Sequence, residues 1–221
     1  MSAMADRPRR RLSAAERRDE LLDAASEVFA RAGYHGASLE EIAGVAGVSK
    51  ALIYEHFASK RELHAELVAR HASEIFRRLQ ANAESGTTGE ERLRGGIDAF
   101  LSFVEEHRDA WRALFRDAAD PEVADAIAGV QQQAVGVIAA LMAADPDVRD
   151  DPNVDPAQRA LFLEAHAGLL AGAIQALASW WEDHRHVPRE VVTDRAMEFC
   201  WLGLERLSDG RRLRRGAARR G

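Results

Sequence analysis

The sequence predicts an all-α protein, and three observations predict it. Apolar residues recur every three or four positions along most of the chain, and no alternating stretch reads as a strand. Ser and Glu stand three apart just ahead of several apolar runs, the spacing at which each side chain bonds the other's backbone N–H at a helix start. Six prolines and 16 glycines in 221 residues leave long uninterrupted segments rich in alanine and leucine.

Each element follows from these signals. Leu21, Ala25, Val28, Phe29 and Ala32 form one apolar stripe, Ser13 and Glu16 begin it, and Gly33 is placed to stop it. A helix is therefore expected over about 13–32. A second, short helix starts at Ser38-Leu39-Glu40-Glu41 and ends near 45, ahead of a tight turn at 46–48. Ser49 caps a third helix over about 50–57, and Ser59 caps a long fourth one that reaches about 83. Further helices are expected at about 90–107, 109–118, 122–144, 156–184 and 188–207. Their breaks fall at Asp120-Pro121, Asp145-Pro146 and His186-Val187-Pro188. The acidic stretch 145–155 reads as a mobile loop.

The domains expected are a flexible basic arm (1–12), a three-helix helix-turn-helix unit (13–58), a helical regulatory and dimerisation domain (59–208) and a disordered Arg-rich tail (209–221). The net charge of −6 is unevenly spread. Residues 1–61 carry ten basic and nine acidic side chains, residues 206–221 seven arginines and one aspartate, and the middle is strongly acidic. That middle should not lie against phosphates, whereas the ends can.

The stretch from Ser38 to Lys60 carries the chemistry. Two helices that cross closely need a small residue in the first, a residue tolerant of positive φ in the turn, and apolar residues on the shared face. Ala43 is the small residue and Gly47 the turn residue; Ile42, Ala46, Val48, Ile53 and Phe57 supply the apolar contacts. The third helix then has a second face with Lys50, Ala51, Tyr54 and Glu55, placed to enter a major groove. Lys50 can donate to guanine or phosphate, Ala51 can touch a thymine methyl, and Tyr54 can reach a phosphate or a base edge. Ser38, Ser49, His56 and Lys60 sit where backbone contacts fix register. The plainer alternatives are core packing for Tyr54, a surface role for Lys60, and a merely solubilising N-terminal arm.

This stretch, with Phe29-Ala30-Arg31-Ala32-Gly33-Tyr34 before it and Leu52 to Lys60 within it, resembles the TetR/AcrR family of bacterial transcriptional regulators over about residues 15–65. The resemblance implies an all-helical homodimer, an N-terminal DNA-binding unit and a divergent C-terminal domain. It places DNA contacts on Ser38, Lys50, Ala51, Leu52, Tyr54, His56 and Lys60. Leu52 and Glu55 depart from the family's common usage. The implied partners are double-stranded DNA with an inverted-repeat operator and a second copy of the chain, and the implied action is repression relieved by a ligand.

Phe100, Phe103, Val104, Trp111, Leu114 and Phe115 cluster on two successive helices, and Ile138, Leu141 and Met142 add an apolar face on the next. Where the family's corresponding helices surround a cavity, the ligand-contacting residues expected here are Phe100, Phe103, His107, Trp111, Phe115, Met142 and His166, for a small apolar or amphipathic molecule. Ordinary core packing is the alternative. Ala165, Gly168, Gly172, Ala176 and Ser179, with Val192, Ala196, Phe199, Gly203 and Leu207 on the last helix, fall on faces that the resemblance pairs across a dimer.

Other classes have little support in the residues. No serine–histidine–aspartate set, phosphate loop or His-Glu-x-x-His motif is present, so no enzyme and no cofactor are expected. No paired histidine spacing indicates a metal. The single Cys200 allows no internal disulfide and reads as a buried thiol. No apolar run is expected to span a bilayer and no secretory signal opens the chain, which suits a cytoplasmic protein.

Overall fold

The computed structural model describes residues 13–108, 111, 121–148 and 154–208, with side chains to 201. Among them are eight helices and no strand: α1 (Ala14–Gly36), α2 (Leu39–Ala46), α3 (Lys50–His56), α4 (Lys60–Ser85), α5 (Gly89–Glu106), α6 (Ala124–Ala144), α7 (Pro156–Asp183) and α8 (Arg189–Ser208). The expected arm, tail and helix over 109–118, Trp111 apart, lie outside the described residues.

The helix starts obey local chemistry. Ser13 Oγ accepts from the Glu16 N–H at 3.2 Å while Glu16 Oε2 accepts from the Ser13 N–H at 2.8 Å. Ser38, Ser49 and Ser59 cap α2, α3 and α4 in the same way through their hydroxyls. Gly33 kinks α1 rather than ending it. Its φ of 73° breaks the helix, and one more turn runs to Gly36. The kink swings Tyr34 inward, where it is 2% exposed.

Two cores result. The first joins α1, α2, α3 and the start of α4 through Leu21, Ala25, Val28, Ile42, Ile53, Phe57 and Leu63, each no more than 1% exposed. It also takes in Val123 and Ile127 from the start of α6, so it crosses the boundary expected after residue 58. The Tyr34 hydroxyl donates to Glu122 Oε2 at 2.9 Å beside this junction. The second core unites α5, α7 and α8 around Leu101, Val104, Trp111, Ala178, Trp181, Val192 and Ala196. Cys200 is buried there, and burial pushes its thiol up.

Three expectations are corrected. Val192 and Ala196, expected to face a dimer mate, are 1% and 2% exposed inside this second core. Phe199, named with them, is 76% exposed, and the other exposed large apolar side chain described on α8 is Val191, at 42%. The acidic loop is anchored where described: Arg92 grips Asp145 through Nε at 2.9 Å and Nη2 at 2.5 Å, and reaches Asp147 at 2.9 Å. Finally, α6 and α7 each hold an 18-residue window long and apolar enough to cross a bilayer, with mean hydropathy 1.5 and 1.4. The run Gln131-Gln132-Gln133 in α6 and the scattered Arg159, Glu164, His166 and Gln175 in α7 hide this in the sequence.

Candidate nucleic-acid interface

The turn between α2 and α3 is built as the sequence requires. Gly47 has φ 66° and ψ 34°, a left-handed conformation that costs other residues about 1–2 kcal/mol. The Gly47 N–H donates to Gly44 O at 3.2 Å and the Val48 N–H to Ala43 O at 3.0 Å, which satisfies carbonyls at the end of α2. A side chain at Gly47 would meet nothing within 4 Å, so the constraint is conformational rather than steric. Val48 follows and packs against the first core.

Helix α3 presents two faces. Ile53 and Phe57 are buried at 0% and 1% exposure, while Tyr54 stands 51% exposed and Ala51 and Glu55 are exposed beside it. Ser38 and Ser49 are exposed at the helix starts; Lys50, Leu52, His56 and Lys60 are half-buried. All the expected DNA-contacting residues thus lie in α3 or at the adjoining starts of α2 and α4.

Two lysines have partners that the sequence did not reveal. Lys50 Nζ donates to Glu40 Oε1 across the α2–α3 crossing and lies 5.8 Å from the Tyr54 ring centre. That hydrogen bond holds the Glu40 carboxyl below its ordinary range and the Lys50 ammonium above its own. Lys60 Nζ donates to Tyr34 O at 2.8 Å and Ala37 O at 3.2 Å, and sits 4.4 Å from the Tyr34 ring centre. An ammonium has three donors, so two here stitch the α1–α2 link and one remains. Arg18, not singled out from sequence, donates to His56 O at 2.6 Å and covers the Phe57 ring at 4.2 Å. A cation at the C-terminal end of α3 satisfies its last carbonyls.

The expected ligand-contacting residues fall in three places rather than one. Phe100 and Trp111 meet edge-on at 5.2 Å in or against the second core. Phe103, 2% exposed, lies 4.5 Å from the His107 ring. Met142 and His166 are half-buried on α6 and α7, where His166 Nδ1 is 2.5 Å from Phe162 O. Phe115 lies outside the described residues.

A short helix, a left-handed glycine turn and a second short helix with an exposed Tyr54 and Ala51 define a helix-turn-helix DNA-binding regulator. Residues 21–67 match the family of bacterial regulatory proteins of the tetR type, and residues 90–203 match the tetracyclin repressor-like C-terminal domain. The chain belongs to the TetR family. It is 31% identical over 196 residues to the HTH-type transcriptional activator FasR of Mycolicibacterium smegmatis, covering 88% of this chain and 85% of that one. It is 33% identical over 105 residues to the HTH-type transcriptional repressor KstR2 of the same organism, covering 48% of this chain and 51% of that one. The fold matches that of the transcriptional regulator FadR from Bacillus subtilis in complex with stearoyl-CoA, with a TM-score of 0.67 at 17% identity, over 88% of this chain and 99% of that one.

Proposed function

We propose that the protein is a homodimeric repressor whose grip on an inverted-repeat operator loosens when a long-chain acyl-CoA or similar amphipathic molecule binds along α6. The observation that supports this most is the double membership of α6. Its first turn is embedded in the core of the DNA-binding unit through Val123 and Ile127, 1% and 6% exposed. Its apolar window is only 6% buried, although its mean hydropathy is 1.5. A molecule covering that stretch pushes directly on a helix rooted beside Tyr34. The stearoyl-CoA held by the similarly folded FadR is of the matching chemistry.

Dimerisation is read from α7 and α8. Leu161, Leu169 and Trp180, at 62%, 74% and 45% exposure, lie on one face of α7. Side chains added at Gly168 and Gly172 there would meet nothing within 4 Å. With Val191 and Phe199 of α8 this is an apolar surface that a second copy covers in a four-helix contact. Two copies place two α3 helices in successive major grooves. DNA contacts are assigned to Ser38, Ser49, Lys50, Ala51, Leu52, Tyr54, His56 and Lys60, and Tyr54→Ala is expected to weaken operator binding without unfolding the chain.

The test is a titration of stearoyl-CoA against free and operator-bound dimer. Linkage requires the molecule to bind free dimer more tightly by the factor by which it weakens DNA binding, about 5–150-fold for a coupling of about 1–3 kcal/mol. Equal affinity in the two titrations overturns the reading for this ligand class. Activation is a second reading, favoured by the likeness to FasR that spans both domains. Transcription in vitro from a promoter carrying the operator separates the two.

A further inference from the structure

Three side chains with metal-ligating atoms converge where α5 packs on α4, along the helix from the recognition face. His71 and Glu74 stand three apart on α4, so they project from one face, and His107 caps the end of α5. One ligand atom from each lies within 4.8 Å of the others. Glu74 Oε2 is 3.6 Å from His107 Nε2, and the two imidazole centres are 5.2 Å apart. Two imidazoles on one tetrahedral ion stand about 5 Å apart, given a metal–nitrogen distance of about 2.1 Å. His71 is 6% exposed, and its Nε2 is buried with no hydrogen-bond partner. Folded proteins rarely leave such an atom orphaned unless something else occupies it.

We propose that His71, Glu74 and His107 form a binding site for a first-row divalent cation, Zn²⁺ being the favoured occupant, with a fourth position left open. Two imidazoles and one carboxylate are a donor set that suits this ion. Burial of the His71 ring disfavours its charged form, and a ligand must be neutral. Arg78 holds Glu74 by its other oxygen and grips Glu106 at 3.0 and 2.6 Å. Two carboxylates therefore balance its charge, and it fixes the Glu74 carboxylate with Oε2 towards His107. Phe103 packs against both rings, at 5.7 and 4.5 Å, and gives the site an apolar floor. A polar cleft lined by Glu27, Glu106, His107 and Arg108 opens to solvent on the His107 side of the cluster. A bound ion ties α4, which begins at the helix-turn-helix, to the end of α5.

The experiment is a titration of the full chain, stripped with a chelator, with Co²⁺ and then Zn²⁺. One equivalent of Co²⁺ per chain should give the intense visible absorption of a four-coordinate ion, and one equivalent of Zn²⁺ should erase it. His107→Ala and Glu74→Gln should weaken binding by more than about 100-fold, and Arg78→Gln by about 10–100-fold. His71→Phe keeps the ring's bulk and should abolish the signal; if it fails to fold, the other two ligand variants decide alone. His186→Ala, at the exposed end of α7, should change nothing. Absence of stoichiometric binding, a spectrum like that of the aqueous ion, or an undiminished signal in His107→Ala overturns the proposal and leaves His71 an ordinary core residue.

Discussion

The first core and the outer faces of α6 and α7 are opposite solutions to the same composition. In the first, every large apolar side chain of α1 to α3 except Val45, Leu52 and Tyr54 is turned inward, and the unit is finished within one chain. In the second, helices apolar enough for a bilayer leave Leu161, Leu169 and Trp180 outside, and past its first turn α6 has only half-buried or exposed side chains. A finished core suits a platform for reading DNA; the open apolar faces suit the second copy and the ligand proposed above. Exposed apolar surface of this extent is the mark of an interaction face rather than of chance.

The largest expected effect attacks the finished half. Phe57→Ala removes a ring that is 1% exposed and covered by Arg18, at about 3–5 kcal/mol. Urea unfolding should show that loss in the N-terminal unit together with loss of operator binding; a change under about 1 kcal/mol would mean this core tolerates a void. Leu169→Glu attacks the unfinished half, where the side chain is 74% exposed. The helical signal and melting of the protomer should survive, while the dimer dissociation constant rises on the order of 100-fold, about 2.7 kcal/mol. Light scattering that finds an unchanged dimer would place the contact elsewhere.

The same contrast explains what could be read before the structure. The caps at Ser13, Ser38, Ser49 and Ser59 and the turn at Gly47 are decided by residues three or four apart, so the sequence displays them. The inward face of α3 follows from Ile53 and Phe57 for the same reason. What escaped is tertiary. Nothing near Val123 tells that it completes a core whose other members begin at Leu21 and run to Leu67. On α8, Val192 and Ala196 were misplaced while Phe199 is exposed as expected: Val191 and Val192 are equally apolar, and only Trp181 and its neighbours decide between them. The metal-ligating cluster joins His71 to His107 across two helices. Its one local trace is the i, i+3 spacing of His71 and Glu74.

Lys60 sharpens the comparison at a smaller scale. Taken as a phosphate contact only, Lys60→Ala would lower DNA affinity, reduce the salt slope by about one, and leave stability unchanged. Its bonds to Tyr34 O and Ala37 O give it a structural task as well. Removal should therefore also cost about 1–2 kcal/mol, since two carbonyls lose a charged donor at a half-buried position. Thermal unfolding and anisotropy titrations over a range of salt separate the tasks: lost stability with an unchanged slope would remove Lys60 from the interface.

The smallest effect, and the finest test of the recognition face, is Glu40→Gln. The Glu40 and Lys50 side chains are 64% and 42% exposed, so their pairing contributes little to the fold. Its consequence lies in DNA binding. On the proposed interface the carboxylate faces the phosphates, and it holds the one lysine or arginine of α3. Neutralising it removes one repulsive charge and frees Lys50 to donate to phosphate or guanine. Operator affinity should rise a few-fold, and the salt slope should steepen by up to about one. If Glu40 instead aims Lys50 at a particular base, the same substitution should lower affinity for the operator and leave non-specific DNA affected least. Measuring both DNAs at two salt concentrations decides between release and aim, because phosphate contacts act on every sequence and base contacts on one.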